Sequence, residues 1–200
     1  MNRNMVLTGV ASVTVAAIAV AAGIYFTRAP AFEPVGLMPP ADLGGAFTLV
    51  DSDGADFSSS ELSGNGAMLY FGFTYCPDVC PTELARVAGA VDQLAEEGIA
   101  VTPVFITVDP ERDGPELVGD YADLFHPDMI GLTGSVEQIE QVAEQYGVYY
   151  RRVEDDSATD YLLDHSSYIY LLDPTGRLVW MFRPTDGVDA MVQTIVEAAA

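Results

Sequence analysis

The hydrophobic pattern predicts strands that alternate with helices over most of the chain. Residues 68–73 form an unbroken run of apolar and aromatic side chains, which predicts a strand buried on both faces. From Thr82 onward, apolar residues recur every three or four positions, the spacing of a helix with one face in a core. A hairpin over residues 168–182, with its turn at residues 173–176, precedes a closing helix after Val188. This order predicts an α/β domain with a mixed sheet that is flanked by helices.

Shorter patterns predict the remaining elements. We expect a hairpin at residues 47–57, one helical turn at residues 59–62, strands at residues 101–108, 129–132 and 148–153, and an acidic loop at residues 154–160. Two helices should lie between these strands. Asp113 is placed to cap the first, whose inner face would hold Leu117, Tyr121 and Leu124. Ser135 and Gln138 predict a capping box at the start of the second.

The N-terminal part of the chain carries a candidate membrane anchor. Residues 5–26 contain no charge and are long enough, as a helix, to cross the hydrocarbon core of a bilayer. We expect residues 1–4 to form a cytoplasmic tail, residues 27–41 a proline-rich linker, and residues 42–200 the folded domain. This arrangement predicts a single-pass protein of the inner (cytoplasmic) membrane whose soluble domain faces the periplasm. A cleaved signal peptide, with an Ala-Pro-Ala site at residues 29–31, is the alternative.

The charge balance narrows the choice of partners. The chain has a formal net charge of -22, and its eight basic residues are all Arg. So acidic a surface repels phosphate backbones, which argues against nucleic acid as a partner. The excess of carboxylates would either steer the protein toward basic partners or keep the domain soluble, and we favour the second account.

Cys76 and Cys80 are the only cysteines, and they lie in the turn between the predicted central strand and the helix that follows it. Unpaired backbone N–H groups and the helix dipole favour a thiolate at such a position. A structural disulfide is a weak explanation, because so small a loop would contribute only about 2 kcal/mol. The pair therefore indicates redox chemistry or metal binding, and the residues alone leave both open.

His165 is the strongest candidate for a third functional residue. It precedes a strand of the predicted hairpin, so it could face the cysteine turn, with Asp164 or a backbone carbonyl holding its other ring nitrogen. His126 follows a helix end and is expected to interact with the last helical carbonyls. Asp78, between the cysteines, is by default an exposed turn residue.

Three segments together resemble the signature segments of the Sco/SenC family. They are Gly-Phe-Thr-Tyr-Cys-Pro-Asp-Val-Cys-Pro at residues 72–81, Val-Asp-Pro-Glu-Arg-Asp at residues 108–113, and Asp-His-Ser at residues 164–166 followed by Tyr-Leu-Leu-Asp-Pro-Thr-Gly at residues 170–176. The segments occur in the family's order, and the similarity extends from about residue 47 to the C-terminus. Each segment alone is a weak signal, whereas the combination is specific.

The resemblance implies a thioredoxin-like domain that binds copper, as Cu(I), Cu(II) or both, through Cys76, Cys80 and His165. It also implies a role in assembling the copper centre of cytochrome c oxidase. The expected partners are the copper-receiving subunit of that enzyme and another copper chaperone or a thiol reductant.

An extracytoplasmic thiol-disulfide oxidoreductase is the competing hypothesis, with Cys76 and Cys80 as its redox-active pair. Such enzymes usually have C-x-x-C and a proline facing the pair, whereas this chain has C-x-x-x-C and no proline in residues 161–170. A thiol peroxidase is weaker still, because the turn does not visibly supply an activating arginine. Zinc stays open if Asp78, His126 or water provides a fourth ligand.

Overall fold

The computed structural model describes residues 33–153 and 161–199. Within them the strands are β1 (Thr48–Val50), β2 (Asp56–Ser58), β3 (Gly66–Gly72), β4 (Val101–Thr107), β5 (Ile130–Leu132), β6 (Tyr150–Val153), β7 (Leu162–His165), β8 (Ile169–Leu172) and β9 (Leu178–Phe182). The α-helices are α1 (Val79–Glu96), α2 (Pro115–Asp123), α3 (Val136–Tyr146) and α4 (Val188–Ala199), and a single 3-10 turn spans Ser59–Leu62. The predicted alternation of strands and helices is confirmed.

β3 is the central strand of a five-stranded mixed sheet with the order β5-β4-β3-β8-β9. It pairs in parallel with β4 and antiparallel with β8. β5 continues the parallel side, and β9 continues the antiparallel side. All of β3 is buried, as its unbroken apolar run predicts. The carboxyl end of this central strand leads directly into the cysteine turn.

Alternate side chains of β3 enter two different cores, one on each face of the sheet. Leu69 and Phe71 pack with α3 and with the β1–β2 hairpin. Met68 and Tyr70 pack with α1, α2 and α4, in the core that also contains Cys80. This two-sided burial follows from the period of two along a strand.

Asp113 does not cap α2, contrary to the sequence-based prediction. Gly114 occupies the N-cap position, and no side chain there bonds the helix. The Asp113 side chain is instead fully buried and accepts hydrogen bonds from Thr74 and Thr107. The carboxylate is thus bonded to residues outside the helix and not to the amides at its start.

The inner face of α2 was also predicted incorrectly in part. Val118 and Ala122 are buried, whereas Leu117 and Leu124 are exposed. The reason is close packing, since a Cβ at Gly131 of β5 would clash with the carbonyl oxygen of Val118. So short an approach requires the helix face with the smaller side chains.

The predicted start and end of α3 are confirmed. Ser135 and Gln138 form a reciprocal capping box. Gly147 ends the helix with a φ of 65°, a left-handed conformation that glycine adopts without a steric penalty.

β6 and β7 form a separate two-stranded antiparallel sheet in which Tyr150 pairs with His165. The sequence predicts β6 but places His165 in a loop. The structure corrects this point, because His165 is the last residue of a strand whose position is set by its neighbour β6.

Residues 35–37, within the predicted linker, contact β9 and α4. The amide of Leu37 donates to the carbonyl of Met181 at 2.7 Å, and the return bond measures 2.9 Å. Trp180 Nε1 donates to the carbonyl of Val35, whose amide donates to Thr194 Oγ1 at 3.1 Å. This segment therefore lies along the edge of the sheet.

Across residues 33–153 and 161–199, no helix is both long and apolar enough to cross a membrane. The predicted span at residues 5–26 and the acidic loop at residues 154–160 lie outside the described residues.

Candidate metal centre

The cysteine turn connects β3 to α1. The amide of Cys76 donates to the carbonyl of Phe73 at 3.2 Å and closes the turn. Cys80 lies in the first turn of α1, where backbone N–H groups have no partner within the helix. Its amide donates instead to the Sγ of Cys76 at 3.4 Å. The helix start therefore favours negative charge on the Cys76 sulfur, and both cysteines are free.

His165 reaches this turn from the end of β7. Its Nδ1 lies 2.9 Å from the carbonyl oxygen of Ser166, which can only accept a hydrogen bond, so Nδ1 carries the proton. Nε2 consequently keeps its lone pair and lies 3.3 Å from the Sγ of Cys80. The ring is held edge-on against Phe73, with 5.7 Å between centroids. These contacts fix both the tautomer and the orientation of the imidazole.

One ligand atom from each of Cys76, Cys80 and His165 lies within 4.8 Å of the other two. Two sulfurs and an imidazole nitrogen converge here from three different elements. Soft sulfur donors combined with imidazole suit copper and zinc, and carboxylate-preferring cations such as Mg²⁺ do not fit this set. The structure thus provides a preformed three-ligand group.

The two cysteines have opposite pKa shifts because they share one proton. A hydrogen bond from the Cys80 thiol lowers the pKa of Cys76 to about 4, and burial opposes this shift. The same hydrogen bond, together with burial, raises the pKa of Cys80 well above its usual range. The reduced pair therefore holds one thiolate and one thiol at neutral pH. Binding a metal through both sulfurs releases the proton of Cys80.

Gly72 makes room for the Cys80 sulfur, a role that sequence analysis did not predict. A Cβ at this position would lie 2.7 Å from Sγ of Cys80 and 3.4 Å from Cε2 of Phe105. Any larger residue would push the sulfur out of its position. The only signal in the sequence is a glycine inside an otherwise apolar strand, which marks a close approach.

Asp113 anchors the cysteine turn from the β4–α2 loop. Its carboxylate accepts hydrogen bonds from the amide of Thr74 at 2.9 Å and from the hydroxyl of Thr107 at 2.6 Å, and a third from the hydroxyl of Thr74. Burial raises the pKa of Asp113, and these hydrogen bonds act against the shift. A buried, fully bonded carboxylate thereby ties Thr74, two residues before Cys76, to the neighbouring strand.

Asp109 anchors the strand that carries His165. The hydroxyl of Tyr161, the residue before β7, donates to Asp109 Oδ1 at 2.6 Å. Arg112 Nε donates to Oδ2 of the same carboxylate, and its Nη1 donates to the carbonyl of Tyr161 at 2.9 Å. The guanidinium also lies 5.0 Å from the ring centroid of Tyr75 in the cysteine turn. The segment at residues 109–113 thus supports both halves of the site.

Other residues considered from the sequence lie apart from this group. Asp78 is exposed at the N-cap of α1. The amide of His126 donates to the carbonyl of Ala122 in the last turn of α2 at 3.3 Å, which agrees with the expected interaction at the helix end. The ring makes other contacts, since Nε2 lies 3.3 Å from Asp92 and Nδ1 accepts the amide of Asp128. Asp164 pairs with Arg151 at 3.2 Å and does not hold His165.

A family model described as SCO1/SenC matches residues 36–200. The chain belongs to the SCO1/SenC family. Protein SCO1 homolog 1, mitochondrial, from Arabidopsis thaliana is 45% identical over 158 residues, which cover 78% of this chain and 47% of that protein. The chain therefore spans about half the length of this relative.

Solved structures of the Sco family share the fold. Arabidopsis thaliana ScoI with copper bound is 44% identical, with a TM-score of 0.76, and the match covers 78% of this chain and 98% of that one. BsSco, described as having a disulfide switch and as a member of the Sco family of cytochrome c oxidase assembly proteins, is 25% identical with a TM-score of 0.62, covering 82% and 97% of the two chains. The predicted thioredoxin-like α/β fold, with a mixed sheet and flanking helices, is confirmed as the Sco type.

Proposed function

We propose that this protein binds one copper ion through Cys76, Cys80 and His165 and assists assembly of the copper centre of cytochrome c oxidase. The observation that carries the proposal is the convergence of their ligand atoms within 4.8 Å. Copper in the related ScoI structure and the oxidase-assembly role in the description of BsSco support the same assignment.

The donor set favours copper over zinc. Two thiolates suit Cu(I), and an added imidazole gives a set that also holds Cu(II). A structural zinc site ordinarily has four protein ligands. No fourth His, Cys, Asp or Glu joins the group within residues 33–153 and 161–199.

The cargo role implies a partner and a location. We propose that the domain delivers copper to the copper-receiving subunit of the oxidase and obtains it from another chaperone, with a thiol reductant keeping the cysteines reduced. We further propose that residues 5–26 anchor the protein in the inner membrane with the domain in the periplasm. The uncharged N-terminal run supports the membrane span.

Copper titration of the reduced and the oxidised protein tests the proposal. The reduced chain should bind one copper, and the oxidised chain should bind far more weakly because a disulfide removes both thiolates. Cys76→Ser and Cys80→Ser should impair binding of both Cu(I) and Cu(II), and His165→Ala should weaken Cu(II) more than Cu(I). His126→Ala is the matched control, since that histidine is bonded to Asp92 instead. Equal affinity of the oxidised and reduced chains would refute the assignment.

A second candidate function is thiol-disulfide exchange on a partner's cysteines. The specific observation in its favour is the Cys76 thiolate, whose pKa is lowered to about 4 by the neighbouring Cys80 thiol. Because the same sulfurs cannot serve both roles, stoichiometric copper should abolish such exchange. Insulin reduction that continues undiminished with copper bound would favour the oxidoreductase over the copper carrier.

A further inference from the structure

Tyr70 lies near the cysteine pair, and its buried hydroxyl has no hydrogen-bond partner in the described part of the chain. The side chain is fully buried, and its Oη has no hydrogen-bond partner among residues 33–153 and 161–199. A buried hydroxyl left unpaired is unfavourable by about 1–3 kcal/mol, so native proteins contain few of them. The hydroxyl therefore requires a physical explanation.

The ring of Tyr70 borders the same small space as the Cys80 sulfur. A Cβ at Gly72 would lie 2.7 Å from Sγ of Cys80 and 3.0 Å from Cε1 of Tyr70. The ring also meets His165 edge-on, with 6.2 Å between centroids. A tyrosine hydroxyl is protonated at neutral pH, and burial raises the pKa of Tyr70 further, so this group can donate a hydrogen bond.

We propose that Tyr70 is a positioning residue whose hydroxyl donates a hydrogen bond to the Sγ of Cys80 once that sulfur is a metal-bound thiolate. This inference rests on the proposed copper-binding function. A thiolate is a strong acceptor, so the buried hydroxyl gains a partner when the metal binds.

Such a hydrogen bond has a direct consequence for copper. It withdraws electron density from the sulfur, and hydrogen bonds at a cysteine ligand are one of the means by which proteins tune copper redox potentials. Lowering the electron density on the thiolate weakens its bond to Cu(II) more than its bond to Cu(I). Tyr70 should therefore favour the Cu(I) form and so promote the retention of copper in that state.

Tyr170 provides a matched control on the adjacent strand β8. It is equally buried, and its hydroxyl likewise has no partner in the described part of the chain. Its ring faces the opposite core, with Phe71 at 5.4 Å and Tyr146 at 6.1 Å between centroids. Tyr170→Phe thus removes the same group from the same kind of environment, away from the cysteines.

The experiment compares wild type, Tyr70→Phe and Tyr170→Phe, each loaded with stoichiometric Cu(II) and titrated with competing chelators for both oxidation states. In Tyr70→Phe the sulfur-to-copper charge-transfer band should move to longer wavelength, because the sulfur donates more readily. The ratio of Cu(II) to Cu(I) affinity should rise by roughly three- to tenfold, the effect of one lost hydrogen bond. Tyr170→Phe should leave the band and the ratio at their wild-type values.

Thermal unfolding of the metal-free proteins separates this role from a merely structural one. Loss of an unpaired hydroxyl should leave both variants as stable as wild type or slightly more stable. An unchanged band and affinity ratio in Tyr70→Phe, with wild type showing the sulfur-to-copper band, would overturn the role of Tyr70 alone. Absence of that band in wild type would overturn the copper assignment and this inference with it.

Discussion

The Nε2 of His165 lies 3.3 Å from the Sγ of Cys80, although 85 positions separate the two residues in the chain. The opposite ring nitrogen, Nδ1, carries the proton and donates it in a hydrogen bond to the carbonyl of Ser166, so the lone pair on Nε2 is available to a metal. The cysteine pair comes from the strand-to-helix turn after β3, and the imidazole comes from the small β6–β7 sheet. The site is therefore a product of tertiary structure rather than of one motif.

The first prediction concerns the reactivity of the reduced, metal-free pair. The hydrogen bond from Cys80 lowers the pKa of Cys76 to about 4, so Cys76 is a thiolate at every pH above that value. Its rate of alkylation by iodoacetamide should stay nearly constant from neutral pH downward and fall only as pH approaches this pKa. Mass spectrometry of the singly modified protein should locate the label on Cys76 and not on Cys80. A rate that falls in proportion to acidity from pH 8 would contradict the shift.

The second prediction concerns the space that Gly72 leaves for sulfur. Gly72→Ala would place a Cβ 2.7 Å from Sγ of Cys80, so the sulfur must move and copper affinity should drop by at least about tenfold, the effect of ~1.4 kcal/mol. Gly89→Ala in α1 is the control, since its Cβ would meet only Val188 Cγ1 at 3.9 Å. That variant should keep its copper affinity and unfold at a higher temperature, because alanine favours a helix over glycine by about 1 kcal/mol. Equal copper affinities for the two variants would refute the packing argument.

The third prediction concerns Arg86 of α1, which forms an ion pair within the helix and hydrogen bonds to the segment before α4. Glu83 and Arg86 pair within the helix, and Arg86 Nη2 also donates to the carbonyls of Arg183 and Asp186. Arg86→Met should destabilise the domain by about 3–5 kcal/mol in chemical denaturation, because it leaves the buried Glu83 uncompensated. Arg177→Met removes an exposed pair with Asp173 and should change stability by at most about 1 kcal/mol.

The loss of stability in Arg86→Met should also depend on pH. Burial raises the pKa of Glu83, and loss of Arg86 removes the group that opposes this shift. When a carboxyl has a raised pKa in the folded state, the protein becomes less stable as pH increases from the pKa of the unfolded state, about 4.3, through the pKa of the folded state. The variant should thus be closest to wild type near pH 4 and furthest from it at neutral pH. A deficit that grows on acidification would show that Glu83 is not the responsible group.

The fourth prediction concerns topology. If residues 5–26 anchor the chain with the domain in the periplasm, protease added to intact spheroplasts should digest the domain. A cytoplasmic marker protein should survive in the same sample. Full protection of the domain in sealed spheroplasts would exclude the proposed orientation.

Local patterns in the sequence predict most of the fold. The apolar run of β3, the capping box at Ser135 and Gln138, and the left-handed Gly147 each involve neighbours within a few residues, so they can be read without knowing the tertiary structure. The two cysteines were identified for the same reason, because a strand-to-helix turn is visible in the pattern. The approach of His165 to this turn was inferred from its position before a hairpin strand, and the family resemblance then implied its role as a ligand.

The residues that sequence reasoning missed depend on long-range contacts. Asp113 looks like a helix cap, but it bonds Thr74, which lies 39 positions away. Tyr70 looks like one more core aromatic, and Gly72 like an interruption of the strand. Their roles arise only because α1 brings Cys80 back over the end of β3. No local periodicity encodes that approach.

X-ray absorption spectroscopy of the copper-loaded protein tests the central claim most directly, since it counts the sulfur and nitrogen neighbours of the metal. For Cu(II) in the reduced wild-type chain we expect two sulfur ligands and at least one imidazole nitrogen, from Cys76, Cys80 and His165. In His165→Ala the imidazole scattering should disappear while both sulfurs remain, and His126→Ala should match wild type. A copper environment of nitrogen and oxygen only, or imidazole scattering that persists in His165→Ala, would contradict the assignment.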